Sequence, residues 1–150
     1  MPKGSDSVKI NSLYKLASVD RIFMFLAGGD DKVKIDKDVM IDSTLYGGAG
    51  KDKLDGGGGR DYIFGEAGDD YLSGGRGSDV IVGGDNNDKL RGGSDSGSDS
   101  EFDGRDLLIG GSGEDEINAD KGDDLLIGGF TAYDNNAIAL ELIHREWTSV

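Results

Sequence analysis

GGAGKDKLD (47–55), GGGGRDYIF (56–64), GEAGDDYLS (65–73), GGRGSDVIV (74–82) and GGDNNDKLR (83–91) follow one another without a gap, each a variant of one nine-residue unit. After an irregular stretch, GGSGEDEIN (110–118) and ADKGDDLLI (119–127) return. Self-similarity at a fixed short period marks a repeat architecture, in which a single unit cannot bury its apolar face and stacking supplies the core. The glycine-rich start of each unit predicts a tight turn whose carbonyls converge. The last three residues predict a strand with an apolar centre every time: Leu54, Ile63, Leu72, Ile81, Leu90, Leu108, Ile117 and Leu126. The flanks vary among lysine, tyrosine, aspartate, valine and serine, as expected if alternation turns only the centre inward. Such strands are too short to stand alone. Two units would close one coil of about 18 residues, with coils stacked roughly 4.8 Å apart in two parallel sheets.

The sixth position is aspartate throughout: Asp52, Asp61, Asp70, Asp79, Asp88, Asp106, Asp115 and Asp124. Alternate units lie on the same side of such a stack, so Asp52 falls beneath Asp70, Asp70 beneath Asp88, and Asp61 beneath Asp79. Columns of carboxylates repel unless a cation lies between them. Carboxylates with converging carbonyls suit a hard cation with several oxygen ligands at about 2.3–2.6 Å, which favours Ca²⁺ over Mg²⁺.

Composition agrees. The 150 residues include 27 glycines but 1 proline, and 30 acidic against 16 basic residues, for a formal net charge of −14. Glycine without a three-residue step excludes collagen. The acidic excess repels nucleic acid and anionic membrane and attracts cations. Without cysteine, neither a disulfide framework nor a thiolate metal site is available. The longest apolar run, Ile22 to Ala27, is too short to span a bilayer, and the N-terminus lacks a signal-peptide pattern, so any export uses another route.

Residues 47–91 and 104–129 resemble the G-G-x-G-x-D-x-U-x nonapeptides of RTX (hemolysin-type) calcium-binding proteins. The resemblance implies an all-β fold, a right-handed parallel β-roll, with Ca²⁺ between successive turns held by the sixth-position aspartates and by carbonyls of the glycine-rich turns. Carried onto this chain, the ligands are the eight aspartates above, and the turn glycines are Gly47, Gly48, Gly50, Gly56, Gly57, Gly59, Gly65, Gly68, Gly74, Gly75, Gly77, Gly83, Gly104, Gly110, Gly113 and Gly122. It also implies a module of a bacterial exoprotein, exported by a one-step type I system, unfolded in a low-calcium cytosol and folded outside the cell. High glycine content and self-repulsion without metal make that physically sensible.

Departures from the pattern bear on the ion count. Asn86 and Asn87 stand where a glycine and its neighbour are expected; Glu66 and the Ala119-Asp120 pair replace first- and second-position glycines. Across 92–109, strict register would put Gly97 at the ligand position and Asp99 into the apolar column, a costly burial. About nine residues near Ser94–Phe102 therefore read as a bulge. The stacked pairs then become 52/70, 61/79, 70/88, 79/106, 88/115 and 106/124, implying about six Ca²⁺. A register running straight through would leave about five. Asp95, Asp99, Glu101 and Asp103 read as a solvated loop, with an extra cation site as the alternative.

Residues 1–46 read as a β-rich N-terminal cap with short runs at Val8–Ile10, Arg21–Leu26, Lys32–Ile35 and Val39–Ile41, ahead of the roll at 47–129. LAGGDDKVK (26–34) looks like a decayed unit, with Asp31 at the ligand place and read chiefly as a turn residue. Residues 130–150 read as a C-terminal cap, a short helix closing the last coil, with Leu140, Ile143 and Trp147 on one face. His144 is the one histidine, and no nucleophile, phosphate loop or H-E-x-x-H site is evident, so no enzyme is expected. A monomer is expected, with calcium as partner and parent-protein domains beside it. The alternative reading is a calcium-stabilised module that binds an anionic polysaccharide through Lys51, Lys53, Arg60, Arg76, Lys89, Arg91 and Arg105.

Overall fold

In the computed structural model, the described residues are 7–10, 19–93, 104–130 and 140. The chain alternates between two all-parallel sheets, strand by strand. The first contains β1 (Ser7–Ile10), β3 (Lys32–Ile35), β5 (Lys53–Gly57), β7 (Tyr71–Gly75), β9 (Lys89–Arg91) and β11 (Glu116–Asn118), in that order. The second contains β2 (Ile22–Phe25), β4 (Ser43–Ala49), β6 (Tyr62–Ala67), β8 (Val80–Asp85), β10 (Leu107–Ser112) and β12 (Leu125–Ile127). Each strand therefore pairs with the next strand but one, which gives the two stacked parallel sheets read from the nine-residue period and the parallel β-roll that the resemblance implies.

The repeating aliphatics form the core. Leu54, Leu72 and Leu90 of the first sheet face Leu45, Ile63, Ile81 and Leu108 of the second, none more than 1% exposed. Packing starts before residue 47. Val33 and Ile35 of β3 belong to the same core, and β2 and β4 pair in register as rungs of the second sheet. The run at Val39–Ile41 forms no strand, although Val39 is buried.

One feature differs from the reading of the strands. The flanks do not vary freely but sort by sheet. Outward positions of the first sheet are Lys32, Lys34, Lys53, Asp55, Tyr71, Ser73, Lys89, Arg91, Glu116 and Asn118. Those of β6, β8 and β10 are Tyr62, Phe64, Val80, Val82, Leu107 and Ile109, which form a second buried cluster behind the sheet. The cause lies in the parity of the repeat: every second unit carries apolar flanks. The expected cap helix lies outside the described residues except for Leu140, which is helical and buried in that second cluster, on the flank of the roll.

Register through the irregular stretch is set by strand pairing. Leu107 lies opposite Val80 and Glu116 opposite Lys89. Hydrogen bonds between those coils join residues 27 apart in sequence, against 18 elsewhere in the repeats. Gly93 stacks on Gly75 and Gly104 on Gly77, so the chain leaves and re-enters the roll across the width of one residue, Arg76.

Candidate metal centre

The turns line the two edges of the roll, and the sixth-position residues form one column on each. Asp31, Asp52, Asp70, Asp88 and Asp115 share one edge; Ser43, Asp61, Asp79, Asp106 and Asp124 share the other. A hydrogen-bond chain fixes each column. The N–H of each column residue donates to Oδ1 of the aspartate in the next coil: Asp52 to Asp70 at 2.8 Å, Asp61 to Asp79 at 2.8 Å and Asp70 to Asp88 at 2.9 Å. The same bond joins Asp79 to Asp106 at 2.8 Å, Asp88 to Asp115 at 3.0 Å and Asp106 to Asp124 at 2.9 Å. Asp31 and Ser43 start the two chains by donating to Asp52 and Asp61.

The other carboxylate oxygen is the informative one. Oδ2 of Asp52, Asp61, Asp70, Asp79, Asp88 and Asp115 is buried with no hydrogen-bond partner. An ionised oxygen in that situation is costly without a counter-charge. Oδ2 of Asp70 lies beside the first glycine of its own unit, Gly65, and a Cβ there would meet that oxygen and, at 2.6 Å, the Gly83 carbonyl of the next coil. The same grouping of glycine, Oδ2 and next-coil carbonyl recurs at Gly47 with Gly65, Gly74 with Gly92, Gly83 with Gly110, and Gly92 with Ala119. Gly56 and Gly110 pack on Oδ2 of Asp61 and Asp115. Each place thus offers oxygen atoms only, from carboxylate and backbone, in space kept open by the lack of a side chain. That donor set fits a hard cation such as Ca²⁺. Among the described residues, no three acidic, histidine or cysteine side chains converge, so carbonyls must complete any coordination shell.

The electrostatics of the columns point to the same chemistry. Burial, before any other cause, pushes the carboxyls up: Asp70 to about 6, Asp88 and Asp106 to about 7 and Asp61 to about 8. Asp79 is raised well above the ordinary value by burial and then by the charges of Asp61 and Asp106. Asp52 shifts the same way, against the pull of the Asp31 N–H.

Of the turn glycines, Gly48, Gly57, Gly75, Gly50, Gly68, Gly77, Gly113 and Gly122 hold positive φ and make the turns, whereas Gly47, Gly56, Gly65, Gly74, Gly83 and Gly110 line the oxygen clusters. Gly104 and Gly59 bear on neighbouring backbone, at Gly77 and Ile41. Asn86 keeps the turn with φ 80°, and Glu66 and Asp120 hold φ 76° and 67°. Asp31, the decayed-unit aspartate, is only 3% exposed and in line with the column. Leu26 stands at the first position of that unit, and Ala119 at that of Asp124, so a Cβ occupies the place left open elsewhere. Asp95, Asp99, Glu101 and Asp103 lie outside the described residues.

A second ladder escaped the sequence reading. Fifth-position side chains accept N–H groups from the following coil: Asp30 from Lys51 at 3.0 Å, Asp42 from Arg60 at 2.9 Å, Ser78 from Arg105 at 3.0 Å and Asn87 from Glu114 at 2.8 Å. Its trace in the sequence is the recurrence of short polar residues, Asp30, Asp42, Ser78 and Asn87, just before the sixth position.

Comparison with known proteins gives the family. Searches of curated proteins and of solved structures returned no match. The family model for the RTX calcium-binding nonapeptide repeat, built on four copies, matches residues 42–72, 64–98 and 102–131, together more than half of the chain. This roll, whose edges carry columns of aspartates with Oδ1 bound to a backbone N–H and, in most, Oδ2 grouped with a carbonyl of the next coil, belongs to the RTX calcium-binding nonapeptide-repeat family.

Proposed function

We propose that the chain is a calcium-dependent folding module of a secreted bacterial protein, without catalytic activity of its own, that binds about six Ca²⁺ at the edges of the roll. The observation that carries this reading is the row of buried, partnerless Oδ2 atoms, each beside a glycine and most beside a carbonyl of the next coil. The six stacked pairs are Asp52/Asp70, Asp61/Asp79, Asp70/Asp88, Asp79/Asp106, Asp88/Asp115 and Asp106/Asp124. At +2 each, about six ions offset most of the formal −14, so the loaded module approaches neutrality. Mutual repulsion and the entropy cost of the glycine-rich chain oppose folding without metal, so calcium affinity becomes folding free energy. That property suits export of an unfolded chain into a calcium-rich exterior.

Titration of chelator-treated protein with Ca²⁺, followed by far-UV circular dichroism and calorimetry, tests the reading. The expected result is a cooperative gain of β signal at sub-millimolar to millimolar Ca²⁺, with little response to Mg²⁺. Asp70→Asn and Asp88→Asn should each weaken two sites and shift the midpoint furthest. A fully formed roll in excess chelator would refute the module's dependence on calcium.

A second reading, anionic-polysaccharide binding, is favoured by one observation. The outward face of the first sheet aligns Lys32, Lys53, Tyr71 and Lys89, with the Lys53 ammonium 4.5 Å from the Tyr71 ring centre. Lys34 and Arg91 lie in the adjoining row. Acids dilute this face, since Lys34 pairs with Asp55 at 3.4 Å and Lys89 with Glu116 at 2.6 Å, so it ranks second. Retention of the protein on an immobilised polyuronate, abolished by Lys53→Glu with Lys89→Glu, would reverse that order.

A further inference from the structure

The second sheet ends at β2, which among the described residues pairs with β4 alone. The N–H groups of Ile22 and Leu26 donate to the Asp42 and Tyr46 carbonyls at 2.9 and 3.0 Å. Residues 22, 24 and 26 thus direct their backbone groups at β4, and alternation turns those of Phe23 and Phe25 away from the sheet. The side chains match that open edge. Phe23 and Phe25 are 61% and 72% exposed, against at most 5% for Tyr62 and Phe64, which stand two rungs further in on the same rows. Phe25, Tyr46 and Phe64 stack face to face at centroid spacings of 4.8 Å, so the outer face of Phe25 is the open end of an aromatic ladder. Edge strands are ordinarily protected by a charge, a proline or a bulge, and residues 22–26 contain neither charge nor proline. Residues 21–29 contain no acid, so the repulsion of the formal −14 arises elsewhere on the chain.

We propose that this edge is an interface between two copies of the chain, joined β2 to β2 in antiparallel pairing about a twofold axis at Met24. The stretch Ile22-Phe23-Met24-Phe25-Leu26 selects a second copy as the partner, because aliphatic, aromatic, methionine, aromatic, aliphatic reads alike from both ends. About that axis Phe23 of each copy lies opposite Phe25 of the other, Met24 opposite Met24, and Ile22 opposite Leu26, so apolar meets apolar on both faces of the joined sheet. Phe23 and Phe25 are also the residues whose backbone groups point outward, and opposed residues of that kind exchange two hydrogen bonds per pair. A register slipped by two residues would set Arg21 against Phe25 and Asp20 against Leu26, which lowers the match. The twofold occupies the open edge of both rolls at once and closes at two copies.

Sedimentation of the full chain in saturating Ca²⁺ tests the interface. The mass should rise toward that of two chains as concentration increases. Phe23→Lys combined with Phe25→Lys should return it to one chain with the β signal in circular dichroism kept, because both side chains point outward. The chain has no cysteine, so single substitutions read the register. Met24→Cys should link two copies under oxidised glutathione, since Cα atoms about 4.5 Å apart lie within the disulfide range of roughly 4.4–6.8 Å. Phe23→Cys, whose two copies are diagonal neighbours at about 7–8 Å, should link at least about tenfold more slowly. A single-chain mass at every concentration overturns the proposal. So does a dimer that survives the lysine pair, or one that links equally fast through Met24→Cys and Phe23→Cys. Growth beyond two copies would mean head-to-tail joining of rolls and overturns the twofold as well.

Discussion

The first-position glycines Gly47, Gly65, Gly74 and Gly83 have ordinary backbone angles, so conformational freedom does not explain them; the space where a Cβ would go does. Gly65→Ala places a methyl against Asp70 Oδ2 while the backbone stays relaxed. The expected outcome is one fewer bound Ca²⁺ by calorimetry, with β content at saturating calcium preserved. Gly68→Ala, by contrast, forces φ 137° on an L-residue and drives a Cβ into the Gly50 carbonyl, and should prevent the coil from closing. Equal behaviour of the two variants would remove the distinction between lining and turning glycines. Glu66 is the reverse case, a non-glycine at φ 76°. The left-handed strain of about 1–2 kcal/mol exceeds the entropy cost of glycine, about 0.5–1 kcal/mol, so Glu66→Gly should stabilise the loaded roll by about 0.5–1 kcal/mol in denaturant titration. The division of labour among glycines was not legible in the sequence, because a glycine that turns and a glycine that makes room are written with the same letter.

The strands of the repeats were legible in number and centre but not in sidedness, whereas ahead of them the run expected at Val39–Ile41 is replaced by β4 at Ser43–Ala49. The apolar middle residue of each unit, such as Leu72 or Ile81, announces itself by recurrence, and its burial follows from the period of two along a strand. The sorting of flanks was also present, as KLD and KLR against YIF and VIV, yet it shows only when units are compared two apart rather than one apart. The excursion between Gly93 and Gly104 was read through the cost of burying Asp99, and the strand register at β8 and β10 has the 27-residue offset that such an excursion requires. Replacing residues 94–103 with a single serine should therefore leave calcium stoichiometry unchanged and the thermal midpoint equal or higher, since a shorter loop closes at lower entropy cost. Loss of an ion in calorimetry would instead mean that the acids of that segment contribute ligands.

For the whole molecule, protons and calcium compete for the same oxygens. In the metal-free roll, Asp61, Asp70, Asp88 and Asp106 titrate at about 8, 6, 7 and 7, well above an unfolded aspartate. The folded state then holds more protons than the unfolded chain between about pH 4 and pH 8, so metal-free stability falls as pH rises through that window. Calcium reverses the sign, because it displaces those protons and binds more tightly as they leave. The calcium midpoint should be lower at pH 8 than at pH 6, while in chelator any residual β signal should be greater at pH 5 than at pH 8. A midpoint that does not move with pH would contradict the burial of these carboxylates. The same stack also explains how the chain keeps its place. Gly93 and Gly104 sit on neighbours separated only by Arg76, so the length of what lies between them is invisible to every rung above and below. The roll measures register by what each coil rests on, not by counting residues. The junction is therefore a natural port, where a foreign peptide can be spliced in and displayed while doubling its length costs the fold only about 0.6 kcal/mol.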